Sequence, residues 1–280
     1  MFDLILAVIV VLVLFVSSII DLKTREIPDK FSIGLIIIAV ILKLLHSYEI
    51  SNYSILLNSL YGFLIFTGIS LIAYYTRQWG GGDAKLFIAL GIAFPYYPNE
   101  LMKIFQPDLS ISFMFIIVFN MLLFGFIYGL GYLIYLMLKN KNKLKKLNLK
   151  VNMIYFLLPL SAVISSLFFM YELRILLLML AFLLLIYPYL VKIVKFAEKE
   201  IMTYKLSVDK ITEGDWIIED VYHNHNKIYS KKSPGVTKEQ IGLFKKYKIK
   251  ELIIREGIPF VPAIFLGLLF SLIFGSIITF

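Results

Sequence analysis

The chain has 280 residues, 60% of them hydrophobic and only 17% charged, with a net charge of +9, a mean hydropathy of +0.84 and no cysteine. A soluble domain is about one-quarter charged, so this composition excludes an ordinary soluble protein, and the missing cysteine excludes disulfides, thiol catalysis and a cysteine-based zinc module. The apolar runs are long and continuous, which predicts a mainly α, polytopic helical bundle and excludes the short alternating strands of a barrel.

A spanning helix needs about 20 mostly apolar residues. On that measure eight runs stand out: Phe2 to Ile20, Phe31 to Leu45, Ile55 to Tyr75, Ala84 to Phe94, Ile111 to Leu138, Val151 to Met170, Ile175 to Val191 and Ile258 to Phe280. The first lacks a basic n-region and a clear small-residue cleavage site, so it reads as a retained helix. The fourth is shorter than a bilayer unless it begins inside the glycines before it. The boundaries predict a membrane domain over 1–191, a small module over 192–256 and a last spanning helix over 257–280.

Charge orients the chain. The polar stretches after crossings one, three, five and seven carry 25 of the 28 Lys and Arg residues; only Lys43, Lys103 and Arg174 fall near the other side. The positive-inside rule then places those four loops in the cytoplasm and both termini outside. Orientation and contact with anionic membrane lipid account for the basic balance, and nucleic acid is not needed as a partner.

The polar segment from Lys192 to Arg255 predicts a small cytosolic α/β module. It holds a turn at Glu213-Gly214-Asp215, a strand-like run at Trp216 to Ile218, a capping-box signal at Thr237 with Gln240 three residues on, and a second short strand at Leu252-Ile253-Ile254.

Two carboxylates carry the chemistry. Asp21 ends the first apolar run, and Asp83 follows Gly80-Gly81-Gly82. The topology puts both at the cytoplasmic boundary, and an ionisable group at a membrane segment is a functional hypothesis. Two carboxyls sharing one proton hydrolyse a peptide bond without metal or cofactor: the ionised one takes a proton from water while the other polarises the carbonyl. The three glycines leave the backbone free to turn and let another chain approach Asp83. Lys85 either modulates Asp83 or extends to the interface. Spacing alone leaves a solvated helix end and an ordinary turn as rival explanations.

Asp21-Leu-Lys-Thr-Arg-Glu-Ile-Pro-Asp29 and Gly80-Gly-Gly-Asp-Ala-Lys-Leu86 resemble the two signature stretches of the type IV prepilin peptidases, membrane aspartyl proteases of the GxGD class. The resemblance implies Asp21 and Asp83 as the catalytic pair, with Gly80, Gly81, Gly82 and Lys85 as motif support. A weaker resemblance, to archaeal preflagellin and prepilin peptidases, runs through Gly214-Asp215-Trp216, Gly235-Val-Thr237 and Arg255-Glu-Gly-Ile-Pro-Phe-Val-Pro-Ala263. It implies substrates that are precursors of a flagellin or pilin, with a short basic leader before a hydrophobic helix, cut at the cytoplasmic face. Bacterial bifunctional members carry a cysteine-rich region that this chain lacks, which counts against N-methylation of the product.

His223 and His225 would share a face of a strand, so a metal site is conceivable, but a solvated loop is the preferred reading. Gly125 and Gly129 have the spacing of a helix-packing pair. Two rival functions remain: a secondary transporter with Asp21 and Asp83 as proton or cation sites, and a non-enzymatic platform whose module binds a partner. Transporter sites lie near the midplane between inverted repeats, and no repeat is seen here.

Overall fold

Uninterrupted Leu, Ile, Val and Phe can bury their backbone polar groups in lipid only by bonding within the segment, so each apolar run folds as helix. A computed structural model describes residues 1–277 apart from His225; the side chain of Glu172 is also outside the description. Among the described residues, five helices are long and apolar enough to cross a membrane: α1 (Phe2–Thr24), α2 (Asp29–Glu49), α3 (Ser54–Tyr75), α6 (Phe113–Lys139) and α9 (Tyr171–Phe196). The other three apolar runs form shorter helices, α4 (Gly81–Ala93), α8 (Leu157–Ser166) and α11 (Val261–Ile273). Two further helices, α5 (Asn99–Phe105) and α7 (Lys141–Leu144), fall between the apolar runs, where the three prolines of Pro95 to Ser110 and the basic stretch Lys139 to Lys150 predict loops. In α5, Pro98 stands at the N-cap and Gln106 closes the helix in the left-handed region, so the prolines bracket a helix rather than exclude one.

The chain divides into two units, residues 1–131 with 206–280, and residues 132–205. In the first unit α4 is the hub. Leu86, Phe87 and every residue from Ala89 to Ala93 are buried, and a helix apolar all round belongs inside other helices. It packs against α1, α2 and α3. Contact with α3 is backbone to backbone: a Cβ on Gly62 would lie 2.1 Å from the Gly91 carbonyl oxygen, and one on Gly91 would lie 2.5 Å from that of Gly62. Ser70 donates to the Ala84 carbonyl (3.1 Å), and Phe66 stacks on Phe87 with centroids 4.4 Å apart. At 13 residues α4 is only about 20 Å long. The segment 94–98 covers the remaining distance, so that Glu100, just inside α5, reaches the amino group of Met1 at the start of α1. Helix α11 runs in the same sense, from Val261 near Asp21 to Leu272, whose carbonyl accepts from the Tyr97 hydroxyl (2.7 Å).

The polar segment of this unit has its own small core of Val208, Ile211, Ile217, Val221, Tyr229, Val236, Phe244, Leu252 and Ile254. Strand β1 (Trp216–Ile217) pairs antiparallel with β4 (Glu251–Arg255), setting Ile217 opposite Ile254; β2 (Val221–His223) pairs with β3 (Asn226–Tyr229). The expected capping box opens α10 (Lys238–Lys246): Gln240 donates its amide to Thr237 Oγ1 (3.3 Å) while its Oε1 accepts from the Thr237 N–H (3.0 Å). Gly214 adopts φ +97°, and its neighbour in space is Gly235, where a Cβ would lie 2.7 Å from the Gly214 carbonyl oxygen. Those two glycines bring the Gly-Asp-Trp and Gly-Val-Thr stretches together.

In the second unit α8 and α9 form a helical hairpin, closed by Arg174, which donates to the carbonyls of Ser166 (3.2 Å) and Phe169 (3.3 Å). The lysine-rich stretch folds back on the end of α9, where Lys143 donates to the Glu200 carbonyl and Lys146 pairs with the Glu200 carboxylate (3.4 Å).

Candidate active site

Helix α1 runs one turn past Asp21. It stops because Arg25 takes the left-handed conformation (φ 62°) and donates its N–H to the Asp21 carbonyl (3.0 Å). Pro28 then stands at the N-cap of α2. Asp21 therefore projects from a regular helix rather than a polar loop, and its side chain is buried, at 4% exposure. Its Oδ2 accepts a hydrogen bond from the Val261 amide (3.0 Å).

Asp83 sits in the first turn of α4, and its Oδ2 accepts from the N–H of Gly80, the N-cap residue (2.9 Å). Its Oδ1 is buried and has no hydrogen-bond partner among the described residues. Ile27, six residues past Asp21, lies against Gly82, the Phe260 ring beside the Val261 amide packs on Trp79, and α1 packs on α4. Two carboxylates 62 positions apart in sequence thus share one end of the bundle. One turn before Asp21, the hydroxyl of Ser17 is also buried without a partner.

The glycines act differently from the sequence expectation. None of the three adopts a positive φ: Gly80 is extended (φ −72°, ψ 163°), and Gly81 and Gly82 are already helical. What the site requires is space at one of them. A Cβ on Gly82 would lie 2.8 Å from the Ile27 Cβ, whereas one on Gly81 would meet only Tyr74, at 3.8 Å. The chain that comes close is the protein's own Ile-Pro turn, and the contact locks the two motif stretches together. Lys85 completes the lock by pairing with Asp29 at the far end of the first motif. It engages Asp29, not Asp83. Gly82→Val should overpack this contact by about 1–3 kcal/mol. Adding Ile27→Ala should return much of the lost thermal stability, a rescue that scanning calorimetry of the two variants would reveal.

Three contributors were not singled out from sequence. Trp79, immediately before the glycines, is buried between Phe87 (5.0 Å) and Phe260 (5.4 Å). Arg25 donates to the Gly257 carbonyl (3.3 Å) and pairs with Glu256 (3.4 Å). Glu26 accepts from the Thr212 hydroxyl, which also bonds Asp215. Of the expected packing pair, a Cβ built on Gly125 would lie 3.0 Å from the Phe260 ring, whereas one built on Gly129 would meet nothing within 4 Å outside its own helix backbone among the described residues. His223 stacks on Tyr247 (3.8 Å), and His225 lies outside the described residues.

Burial pushes the Asp215 carboxyl up from the ordinary carboxylate range; hydrogen bonds from Thr212 oppose this, and the charges of Glu26 and Glu256 reinforce it. A carboxyl raised in the folded state binds its proton more tightly there than in the unfolded chain. Its contribution is therefore complete at low pH and is lost as pH rises through the folded value. Asp215→Asn, which keeps an acceptor for Thr212, should flatten the decline in thermal stability from about pH 4 upward. Tryptophan fluorescence melts across that range would measure the slope.

With both motifs placed, the relationship to known proteins can be stated. Residues 8–139 match the model of the type IV leader peptidase family. The matched stretch contains both aspartates and all three glycines. A preflagellin peptidase of Methanococcus maripaludis (strain C6 / ATCC BAA-1332) is 34% identical over 84 residues, covering 30% of this chain and 36% of that one. A preflagellin peptidase of Methanococcus voltae is 29% identical over 142 residues, covering 49% and 59%. The chain thus spans between about one-third and three-fifths of the curated relatives it matches. No solved structure matches.

Proposed function

We propose that this protein is a membrane aspartyl endopeptidase. It removes the short basic leader from archaeal preflagellins or prepilins at the cytoplasmic membrane face, with Asp21 and Asp83 as the catalytic pair. The observation that carries the reading is the convergence of two carboxylates from separate motifs, Asp21 buried and Asp83 half-buried, the latter with a buried Oδ1 free of any partner among the described residues. The leader peptidase match and the two preflagellin peptidase relatives support the substrate class.

The chemistry needs one proton shared between the carboxyls. The ionised carboxylate removes a proton from the attacking water as oxygen bonds to the scissile carbon. The protonated carboxyl gives its proton to the carbonyl oxygen, forming a tetrahedral diol. On collapse the C–N bond breaks, the nitrogen takes a proton from the carboxyl that gained one, and a carbonyl re-forms as the diol returns its proton to the other. Each carboxyl accepts one backbone N–H on Oδ2, so the roles are assigned by the other oxygen: Asp83, with a buried and unengaged Oδ1, suits the donor role, which leaves Asp21 as the ionised partner. Residues 192–256 form the cytosolic module in this reading, and the basic loops fix both termini outside.

The test is cleavage of a precursor carrying a basic leader and a hydrophobic helix by the purified full chain, with the new N-terminus read by mass spectrometry. No cleavage across several flagellin and pilin precursors would reject the proposal. Proton flux in proteoliposomes would then test the transporter, whose use of the same carboxylates is the competing reading.

A further inference from the structure

Residues 256–261 lie outside the leader peptidase match, yet they touch both aspartate motifs. The Val261 amide donates to Asp21 Oδ2 (3.0 Å). The Phe260 ring packs on Trp79, the residue before the glycine stretch (5.4 Å). The Gly257 carbonyl and the Glu256 carboxylate hold Arg25, four residues beyond Asp21. The strip is itself anchored from behind. The Phe260 ring lies against Gly125 of α6, and Gly267 sits where a Cβ would meet the Met121 backbone at 2.5 Å, so α11 cannot shift laterally on α6. Val261 and Ile264 are fully buried.

We infer that Phe260 and Val261 are positioning residues for the aspartate pair: Val261 fixes the Asp21 carboxylate through its amide, and Phe260 fixes the glycine stretch that carries Asp83 through Trp79. This rests on the peptidase reading above. A carboxylate on a helix end has free rotation about two side-chain bonds. One donor from a different helix selects the rotamer, and one aromatic contact sets the depth of the α4 start against it. A misplacement of about 1 Å at such a pair lowers turnover about a hundredfold without touching substrate contacts further away.

The decisive variant replaces the Val261 amide by an ester, installing the α-hydroxy analogue of valine by nonsense suppression in the full chain. The side chain and the following Pro262 stay, and only the N–H is lost. Val261 begins α11, where the N–H has no partner within the helix; the Phe260 carbonyl, which accepts from the Ala263 and Ile264 N–H groups, becomes a weaker ester acceptor, so the unfolding temperature is measured beside kcat. Phe260→Ala and Phe260→Leu form the second pair. With a leader-bearing precursor, the ester should lower kcat about 10- to 100-fold with KM within about twofold. Phe260→Ala should lower kcat similarly, and Phe260→Leu should recover most of it. Wild-type kcat in the ester and in Phe260→Ala would overturn the inference, and so would a fall in kcat matched by a rise in KM or by a lower unfolding temperature. Wild type and Asp83→Asn run alongside: cleavage by the first and none by the second upholds the peptidase reading whatever the positioning variants do. Absence of cleavage by wild type rejects both.

Discussion

Asp83→Asn should abolish leader cleavage while leaving the protein folded. The amide oxygen can still accept from Gly80, so the start of α4 keeps its N-terminal contact. What is lost is the proton that the reaction passes between carboxyls. General acid–base groups contribute about 10²–10⁴ in rate, and a fall of that size is expected in kcat. Asp21→Asn should do the same by removing the base. Because the two carboxyls act as one unit, the double variant should be no slower than the slower single one. Equal expression, equal unfolding temperature and gel-based cleavage kinetics are the measurements. A single variant that cleaves at the wild-type rate removes that residue from the mechanism, and additive losses would mean that the carboxyls work independently.

The second large effect is at the opposite end of α1. Lys43 of α2 is only 2% exposed, and its Nζ lies 2.8 Å from Asp3 Oδ1; His46 Nδ1 is 3.4 Å from the same oxygen, and the Tyr96 ring lies 4.8 Å from Nζ. Lys43→Met leaves a buried carboxylate without its partner, at a loss of about 3–5 kcal/mol. In a protein of this size that is a fall in unfolding temperature of about 10 °C. Removing both charges in Asp3→Leu/Lys43→Met should restore most of it, since a buried ion pair replaced by packed apolar groups is often near neutral. Asp3 stands about 27 Å from Asp21 along α1. The surviving folded fraction of either variant should therefore keep its kcat, and cleavage assays below the melting range would check this. Equal melting of the single and double variants would mean that the pair adds nothing beyond its packing.

The sequence by itself determined the class, the helices and the two motif aspartates. Each follows from local composition: long apolar runs can only be helical in lipid, Thr237 and Gln240 cap their own helix, and Asp21 and Asp83 each interrupt an apolar stretch with a charge. Some readings failed where a local signal has two physical uses. Three consecutive glycines signal both a turn and the close approach of another chain, and what approaches Gly82 is the protein's own Ile27. Lys85 is near Asp83 in sequence, but a helix carries residues two apart to different faces, and the lysine meets Asp29 instead. Prolines around α5 signal a loop, yet proline is also compatible with the start of a helix.

What only the tertiary structure decided is which distant groups share a site. Nothing local in residues 256–261 marks them as neighbours of Asp21, 240 positions away. They arrive there because small residues let helices close to backbone distance. Gly62 and Gly91 seat α4 against α3, and Gly267 seats α11 against α6, so the N-terminal ends of α4 and α11 come to the end of α1. That convergence depends on the joint packing of several helices. A one-dimensional pattern contains each contact surface but not the pairing between them.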